Sequence, residues 1–219
     1  MERSIKISVG EYYHIYNRGV EKRAIFIDDN DRERFIRLLH IANGQRPVVF
    51  RLVQGLPLAK IEMGEKKTAI LSYALMPNHF HILTKEVHEN GVSEFMEKIL
   101  TGYSMYFNKK YKRVGPLFQG TFKAEHVERD EYLKYLFAYI HLNPIKLIEP
   151  KWKEQGIQDS KKAEQFLRSY QFSSYLDYVG VERDERIILS QNEAPQYFMD
   201  KFEFKDFVAD WLRFKKIQG

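Results

Sequence analysis

Two histidines separated by one residue are the side chains of this sequence best placed to act together chemically. His79 and His81 stand at the start of a run, His79 to Lys85, that is typical of a strand. Side chains alternate along a strand, so the two imidazoles share a face and lie roughly 6 to 7 Å apart. Such a pair can converge on one divalent cation if a third ligand completes the site. The alternative is that both histidines merely bond to water or backbone.

A helix predicted to end at Asn143-Pro144 offers the missing group. At ~100° per residue, a polar stripe borders an apolar stripe that should bury against a sheet. The polar stripe comprises Tyr132, Tyr135, Tyr139 and Asn143, and the apolar stripe comprises Leu133, Leu136, Phe137 and Ile140. Tyr139 and Asn143 are neighbours at i,i+4, so a phenol and an amide oxygen can reach one small volume. Periodicity alone leaves open an edge-of-core tyrosine and an ordinary helix-ending asparagine.

The elements that must position these groups follow the order β-α-β-β-α-β-α. The predicted strands are Tyr12 to Asn17, Thr68 to Met76, His79 to Lys85 and Thr121 to Val127. The predicted helices run from Asp28 or Asp29 to Asn43-Gly44, from Gly91 or Ser93 to the basic residues 109–113, and from Arg129 to Asn143. Two adjacent central strands predict an α+β fold, a ferredoxin-like antiparallel sheet with helices mainly on one side.

Two stretches fall outside this pattern. Residues 45–66 combine the strand-like Val48-Val49-Phe50 with loop-forming glycines and a proline, which predicts an extended excursion. Past Pro150 a polar linker, Lys151 to Lys162, leads into an aromatic-rich helical extension. Its last piece is predicted to be an amphipathic helix docked through Phe204, Phe207, Val208 and Trp211. The predicted division is therefore a domain of residues 1–150 and an extension of residues 151–219.

Composition narrows the function classes. The 219 residues contain no cysteine, which excludes disulfide frameworks, thiolate zinc sites, iron–sulfur clusters and a cysteine nucleophile. A formal charge of +5 suits a polyanionic partner, and an aromatic content of 15% leaves rings free to stack on bases. The N-terminus lacks a signal pattern, and no apolar run approaches the about 18 residues that span a bilayer. We expect a soluble cytoplasmic protein with no membrane partner.

Several motifs resemble the IS200-like single-tyrosine transposases, especially their REP-associated branch. The strongest are Tyr73-Ala74-Leu75-Met76-Pro77-Asn78-His79-Phe80-His81-Ile82-Leu83 and Tyr139-Ile140-His141-Leu142-Asn143-Pro144. Others are Tyr16-Asn17-Arg18-Gly19, Ile25-Phe26-Ile27-Asp28-Asp29, Gly115-Pro116-Leu117-Phe118-Gln119-Gly120-Thr121-Phe122-Lys123 and Phe172-Ser173-Ser174-Tyr175. Their order and spacing agree with the family from about residue 12 to residue 180.

The resemblance implies a histidine–hydrophobe–histidine (HUH) endonuclease fold and a metal-dependent transposase activity. It assigns His79, His81 and Asn143 as ligands of Mg²⁺ or Mn²⁺ and Tyr139 as the nucleophile. The family's product is a 5′-phosphotyrosine and a free 3′-hydroxyl, which can rejoin a partner strand without ATP. The chain would then be a nickase and ligase of DNA.

The implied partner is single-stranded or hairpin DNA in the nucleoid of a bacterial cytoplasm, bound by a monomer or a homodimer. Basic and aromatic residues could clamp phosphates and stack bases, and the candidates are Arg18, Lys109, Lys110, Lys112, Arg113, Phe118 and Lys123. A solvated helix end is the alternative for the cluster at 109–113.

Two other functions remain open from the sequence. The chain could be a domesticated nucleic-acid-binding protein that no longer cleaves, although intact His79, His81, Tyr139 and Asn143 argue against this. It could also be a metal-dependent phosphodiesterase in which water attacks the phosphate in place of the tyrosine. Formation of a covalent adduct separates the three functions.

Overall fold

A four-stranded antiparallel sheet forms the centre of the structure. The computed structural model describes residues 6–195 together with residues 204, 207, 208 and 210. The strands are β1 (Tyr12–Arg18), β2 (Thr68–Met76), β3 (His79–Glu86) and β4 (Lys123–His126). They lie in the order β2-β3-β1-β4, so the hairpin of β2 and β3 is followed in space by the first strand of the chain. The predicted element order and the antiparallel α+β fold class are confirmed.

The helices are α1 (Asp29–Ile41), α2 (Phe50–Val53), α3 (Gly91–Lys110), α4 (Asp130–Leu142), α5 (Trp152–Gln155), α6 (Ser160–Ser169) and α7 (Tyr175–Tyr178). Of the two caps predicted for α1, Asp28 and Asp29, the helix uses Asp28, which accepts a hydrogen bond from the Asp31 amide in a reciprocal capping box. Within the described part of the chain, no helix is both long and apolar enough to cross a membrane.

Strand register decides which side chains face the site. Tyr16 lies opposite His81, and Arg18 lies opposite His79. Directly opposed residues of an antiparallel pair share a face, so these four side chains project from the same side of the sheet. Phe80 projects from the other side.

The two long helices α1 and α3 cover the Phe80 side of the sheet. The Phe35 ring of α1 lies 4.9 Å from Phe80, and Tyr103 of α3 lies 5.1 Å from Phe35. Helix α4 covers the opposite side, where the apolar stripe predicted from the sequence is buried. The histidines therefore face α4 across the sheet surface, while two of the three long helices share the other side as expected.

Two local predictions need correction. Residues 45–66 are not wholly the extended excursion that the sequence predicts, because Phe50–Val53 forms the short helix α2. The Arg34 guanidinium lies 3.1 Å from the centroid of the Phe50 ring. Lys151 to Lys162 is not a plain linker, because it contains α5 and the first turn of α6. Helix α6 forms because Asp159 caps it and because Ala163 and Leu167 are buried.

The segment after α6 covers the outer edge of β2. Ser173 forms a bridge with Ala74, and Leu189 forms one with Ile70. The backbone amide of Leu75 donates to the Phe172 carbonyl at 3.0 Å. Farther along, Phe204 and Val208 are buried, as the docked helix requires, while Trp211 lies outside the described residues.

Candidate active site

The two histidines of β3 form a close pair on the α4 side of the sheet. Their ring centroids lie 5.0 Å apart. Burial lowers the pKa of His79 to about 4 and that of His81 well below its usual value, so both rings are neutral near pH 7. The Nδ1 of His79 lies 2.6 Å from Asn78 Oδ1. His81 Nε2 is buried and has no hydrogen-bond partner among the described residues.

A second layer of polar groups orients His81. His14 of β1 places its Nε2 2.9 Å from His81 Nδ1, and its own Nδ1 lies 3.6 Å from a Glu125 carboxylate oxygen. Burial lowers the pKa of His14 to about 4. We assign the proton of His14 to Nδ1, facing the carboxylate, so that Nε2 accepts from His81 Nδ1. His81 is then left with a free lone pair on Nε2, the tautomer that binds metals.

Glu125 is itself held in place from two elements. The Tyr16 hydroxyl donates to one carboxylate oxygen at 2.6 Å, and the Tyr132 hydroxyl donates to the other at 3.3 Å. Tyr132 belongs to the tyrosine stripe, but its hydroxyl bonds to the carboxylate that faces His14. Partial burial opposes ionisation, but the hydrogen bonds outweigh it and the pKa of Glu125 is lowered.

Tyr139 is the member of the tyrosine stripe that contacts the histidines. Its ring centroid lies 5.5 Å from His81 and 6.5 Å from His14. Tyr135 stacks on Tyr139 at 5.9 Å but is 41% exposed. Burial raises the pKa of Tyr139, and hydrogen bonding to Asn143 opposes that rise. Its hydroxyl accepts a hydrogen bond from Lys153 Nζ at 2.6 Å.

Asn143 ends α4 beside the same groups. Against the larger effect of burial, the Asn143 amide raises the pKa of His79 and lowers that of Tyr139, so it lies near both side chains. Its side chain is buried, and Oδ1 has no hydrogen bond of good geometry among the described residues. The described residues contain no cluster of three His, Cys, Asp or Glu side chains suited to a metal. Amide oxygens are among the groups that bind divalent cations in proteins.

The residues predicted to bind DNA lie on two different sides of the molecule. Arg18 and Lys123 are exposed and belong to the face of the sheet that carries the histidines. The basic residues at the end of α3 lie on the α1 side instead, and Lys110 is neutralised there by Asp28 and Asp31. Phe118 is buried, with its ring 6.1 Å from Phe80. Lys109 and Lys112 remain exposed, and Arg113 bonds to Asn108.

Sequence reasoning missed three residues of this site. His14 and Glu125 lie on predicted strands, but only the register of β1 between β3 and β4 brings them to His81. Lys153 lies in a stretch predicted to be a linker. The signal available for His14 was its two-residue spacing from Tyr16, which puts both on one strand face.

Comparison with known proteins bears on the same residues. Residues 58–143 match the model of the family described as Transposase IS200 like, which confirms the resemblance over that range. The range includes His79, His81, Tyr139 and Asn143. No curated protein matches the chain. A solved structure described as the REP-associated tyrosine transposase bound to a REP hairpin is similar over 84% of this chain and 90% of its own, with 14% identity and a TM-score of 0.49.

Proposed function

We propose that this chain, whose residues 58–143 match the IS200-like transposase family, cleaves and rejoins one DNA strand through a covalent bond to Tyr139. The observation that supports this most directly is the contact of the Tyr139 ring with His81. Beside it lie His81 Nε2 and Asn143 Oδ1, neither of which has a hydrogen-bond partner in the part of the chain that the structure describes. A nucleophile and a set of metal ligands thus share one site.

The ligand set in this proposal is His79, His81 and Asn143. Two neutral imidazoles and one amide oxygen leave further coordination positions for substrate and water. When bound there, Mg²⁺ or Mn²⁺ would neutralise charge on the phosphate and orient its oxygens. The Glu125–His14 pair supplies what such a site needs from the protein, because it fixes the ring plane and tautomer of His81.

The proposed reaction is a transesterification at phosphorus. The Tyr139 oxygen forms a bond to the phosphorus while the bond from phosphorus to the 3′-oxygen breaks, and the phosphate stays on the 5′ end. The free 3′-hydroxyl of a strand can later attack the same phosphorus and release Tyr139. Each step exchanges one phosphoester for another, so no nucleotide cofactor is needed.

One tyrosine per site opens one strand, so the proposed substrate is single-stranded DNA, including DNA that folds into a hairpin. Arg18 and Lys123 are exposed on the histidine side of the sheet, where they can contact backbone phosphates. The exposed Lys146 lies near enough to lower the pKa values of both His79 and Tyr139 by its charge. We include it in the proposed DNA surface.

The test is formation of a covalent adduct. Purified protein incubated with Mg²⁺ or Mn²⁺ and a labelled hairpin oligonucleotide should give a complex that survives detergent. Tyr139→Phe should abolish it without unfolding the protein, because only one hydroxyl is removed. Tyr135→Phe is the matched control, since it makes the same change one helical turn away, and it should retain the adduct.

Other outcomes would favour the alternative functions. Cleavage without an adduct, at the same rate in Tyr139→Phe, would favour a phosphodiesterase that uses water. Binding of the oligonucleotide without any cleavage would favour a nucleic-acid-binding protein. An adduct that persists in Tyr139→Phe and disappears in Tyr135→Phe would show that the nucleophile is assigned to the wrong tyrosine.

A further inference from the structure

A lysine from outside the matched range reaches the reacting oxygen of the proposed nucleophile. Lys153 belongs to α5, ten residues beyond residue 143, where the match to the transposase family ends. Its Nζ donates to the Tyr139 hydroxyl at 2.6 Å and lies 4.0 Å from the centroid of that ring. The ammonium therefore contacts both the oxygen and the π face of one side chain.

The fold brings Lys153 back over α4. A 3-10 turn at Asn143–Leu147 continues directly from α4, and the chain then enters α5 with the Trp152 amide donating to the Glu149 carbonyl at 3.1 Å. Trp152 is partly buried against the core, which anchors the short helix. The neighbouring Lys151 is exposed, and no hydrogen bond or ion pair of its side chain is found among the described residues.

The charge of Lys153 acts on the histidines of the site. Burial lowers the pKa of Lys153, and the charge of the neighbouring Glu154 opposes that shift. Lys153 forms no salt bridge among the described residues, and it contributes to lowering the pKa values of His14, His79 and His81. A cation in this place would stabilise negative charge that develops on the tyrosine oxygen or on the phosphate bonded to it.

We infer that Lys153 is a further catalytic residue of the strand transfer proposed above, a charged donor that positions the Tyr139 oxygen and stays beside it throughout. The inference rests on the proposed function. As the oxygen–phosphorus bond forms, the phenol proton passes to water, and the departing 3′-oxygen takes a proton from water. Lys153 keeps its own protons, and its hydrogen bond passes from the phenol to the ester.

The kinetic test compares Lys153→Met, Lys153→Arg and the matched control Lys151→Met, which removes the same charge two residues away. Single-turnover adduct formation at saturating hairpin oligonucleotide should slow about 100- to 1000-fold in Lys153→Met, as for loss of one donor to a developing oxyanion. Affinity for the oligonucleotide should change less than about twofold, since one exposed phosphate contact at most is lost. Lys153→Arg should recover most of the rate, and Lys151→Met should match the wild type.

Two results would overturn the inference while leaving the proposed function intact. One is an adduct that Tyr139→Phe abolishes but Lys153→Met forms at the wild-type rate. The other is a defect of Lys153→Met that does not belong to the reaction step. Such a defect would affect only the affinity for the oligonucleotide, or would be equally large in Lys151→Met.

A spectroscopic measurement tests the contact without DNA or metal. With 3-fluorotyrosine at position 139, Lys153→Met should move the ¹⁹F resonance and Lys151→Met should not. An unmoved resonance would mean that the lysine does not touch the tyrosine. Absence of any adduct in the wild type would instead refute the proposed function and the catalytic role together.

Discussion

At the residue scale, the site shows how three tyrosines of one helical stripe acquire different tasks. Tyr132 donates to Glu125, Tyr135 is partly exposed, and Tyr139 contacts His81 and Lys153. The three side chains project from nearly the same side of α4. They meet different partners because they lie at different positions along the helix, and so over different parts of the sheet. Assignment of the nucleophile therefore depends on what each hydroxyl meets across the sheet.

The His14–His81 contact leads to a prediction about metal binding. His14→Phe keeps a ring in the buried space but removes the nitrogen that accepts from His81, so His81 loses its fixed tautomer. Loss of such an outer partner costs about 10- to 100-fold in metal affinity or activity. The Mn²⁺ concentration that gives half-maximal cleavage should rise accordingly.

The matched control for His14→Phe is His126→Phe. His126 lies on the neighbouring strand and bonds to Glu11, away from His81. His126→Phe should leave the Mn²⁺ dependence of cleavage unchanged. Equal Mn²⁺ dependence of His14→Phe and the wild type would show that His14 has no orienting role.

The sequence predicts part of this site and misses the rest for a physical reason. Alternation on a strand predicts that His79 and His81 share a face, and helical spacing predicts that Tyr139 and Asn143 are neighbours. Both are local properties of the chain. His14, Glu125 and Lys153 reach the site only through strand pairing and a reversal after α4, which depend on contacts distant in sequence.

At the element scale, α3 begins so close to the start of β2 that only glycine fits there. A Cβ added to Gly91 would lie 2.0 Å from the Lys67 carbonyl oxygen. Gly91→Ala must therefore displace backbone and should lower the free energy of unfolding by about 1 to 3 kcal/mol, as overpacking does. Urea unfolding followed by circular dichroism measures this change.

At a second glycine of the same helix, substitution by alanine should change the free energy of unfolding in the opposite direction. A Cβ on Gly102 would meet only the Leu38 side chain, with Cδ2 at 3.7 Å and Cδ1 at 4.0 Å, which is ordinary van der Waals contact. Gly102→Ala should raise the free energy of unfolding by about 0.5 to 1 kcal/mol, because alanine is the better helix former. If Gly91→Ala left the free energy of unfolding unchanged or raised it, as Gly102→Ala should, the close approach of α3 to Lys67 would be in error.

The elements themselves were largely predictable. The buried run of β2, the cap of α1 and the apolar stripe of α4 are strong local signals, and each element lies within a few residues of its expected position. The region of residues 45–66 was less predictable, because cation–π contact and tertiary packing stabilise the single turn of α2.

At the scale of the whole molecule, a buried histidine joins α4 to the segment that covers β2. His141 Nδ1 lies 2.9 Å from the Phe137 carbonyl, and Nε2 lies 2.8 Å from the Ser174 hydroxyl. Ser174 in turn accepts from the Tyr73 amide at 2.9 Å. Burial lowers the pKa of His141 to about 3, so the folded protein keeps this ring neutral.

This histidine predicts acid sensitivity. In the unfolded chain His141 binds a proton with a pKa of ~6.5, whereas in the folded chain its pKa is about 3. The contribution of the neutral His141 ring to stability is therefore complete above pH ~6.5. Below pH ~6.5 the contribution falls by about 1.4 kcal/mol per pH unit. Relative to the wild type, His141→Gln should lose about 2 kcal/mol less on acidification from pH 7.5 to pH 5. Equal losses in urea unfolding would contradict the assignment.

The cover on β2 also affects how copies of this chain meet. An edge strand presents unpaired amides and carbonyls that invite another strand, and here the backbone of residues 172, 174 and 190 already bonds to three of those on β2. The opposite edge, β4, is only four residues long. Proteolytic removal of the chain after α6 would thus uncover the edge of β2, a buried strand of nine residues. The trimmed protein should be prone to aggregate, because its sheet could then pair with the sheet of another molecule.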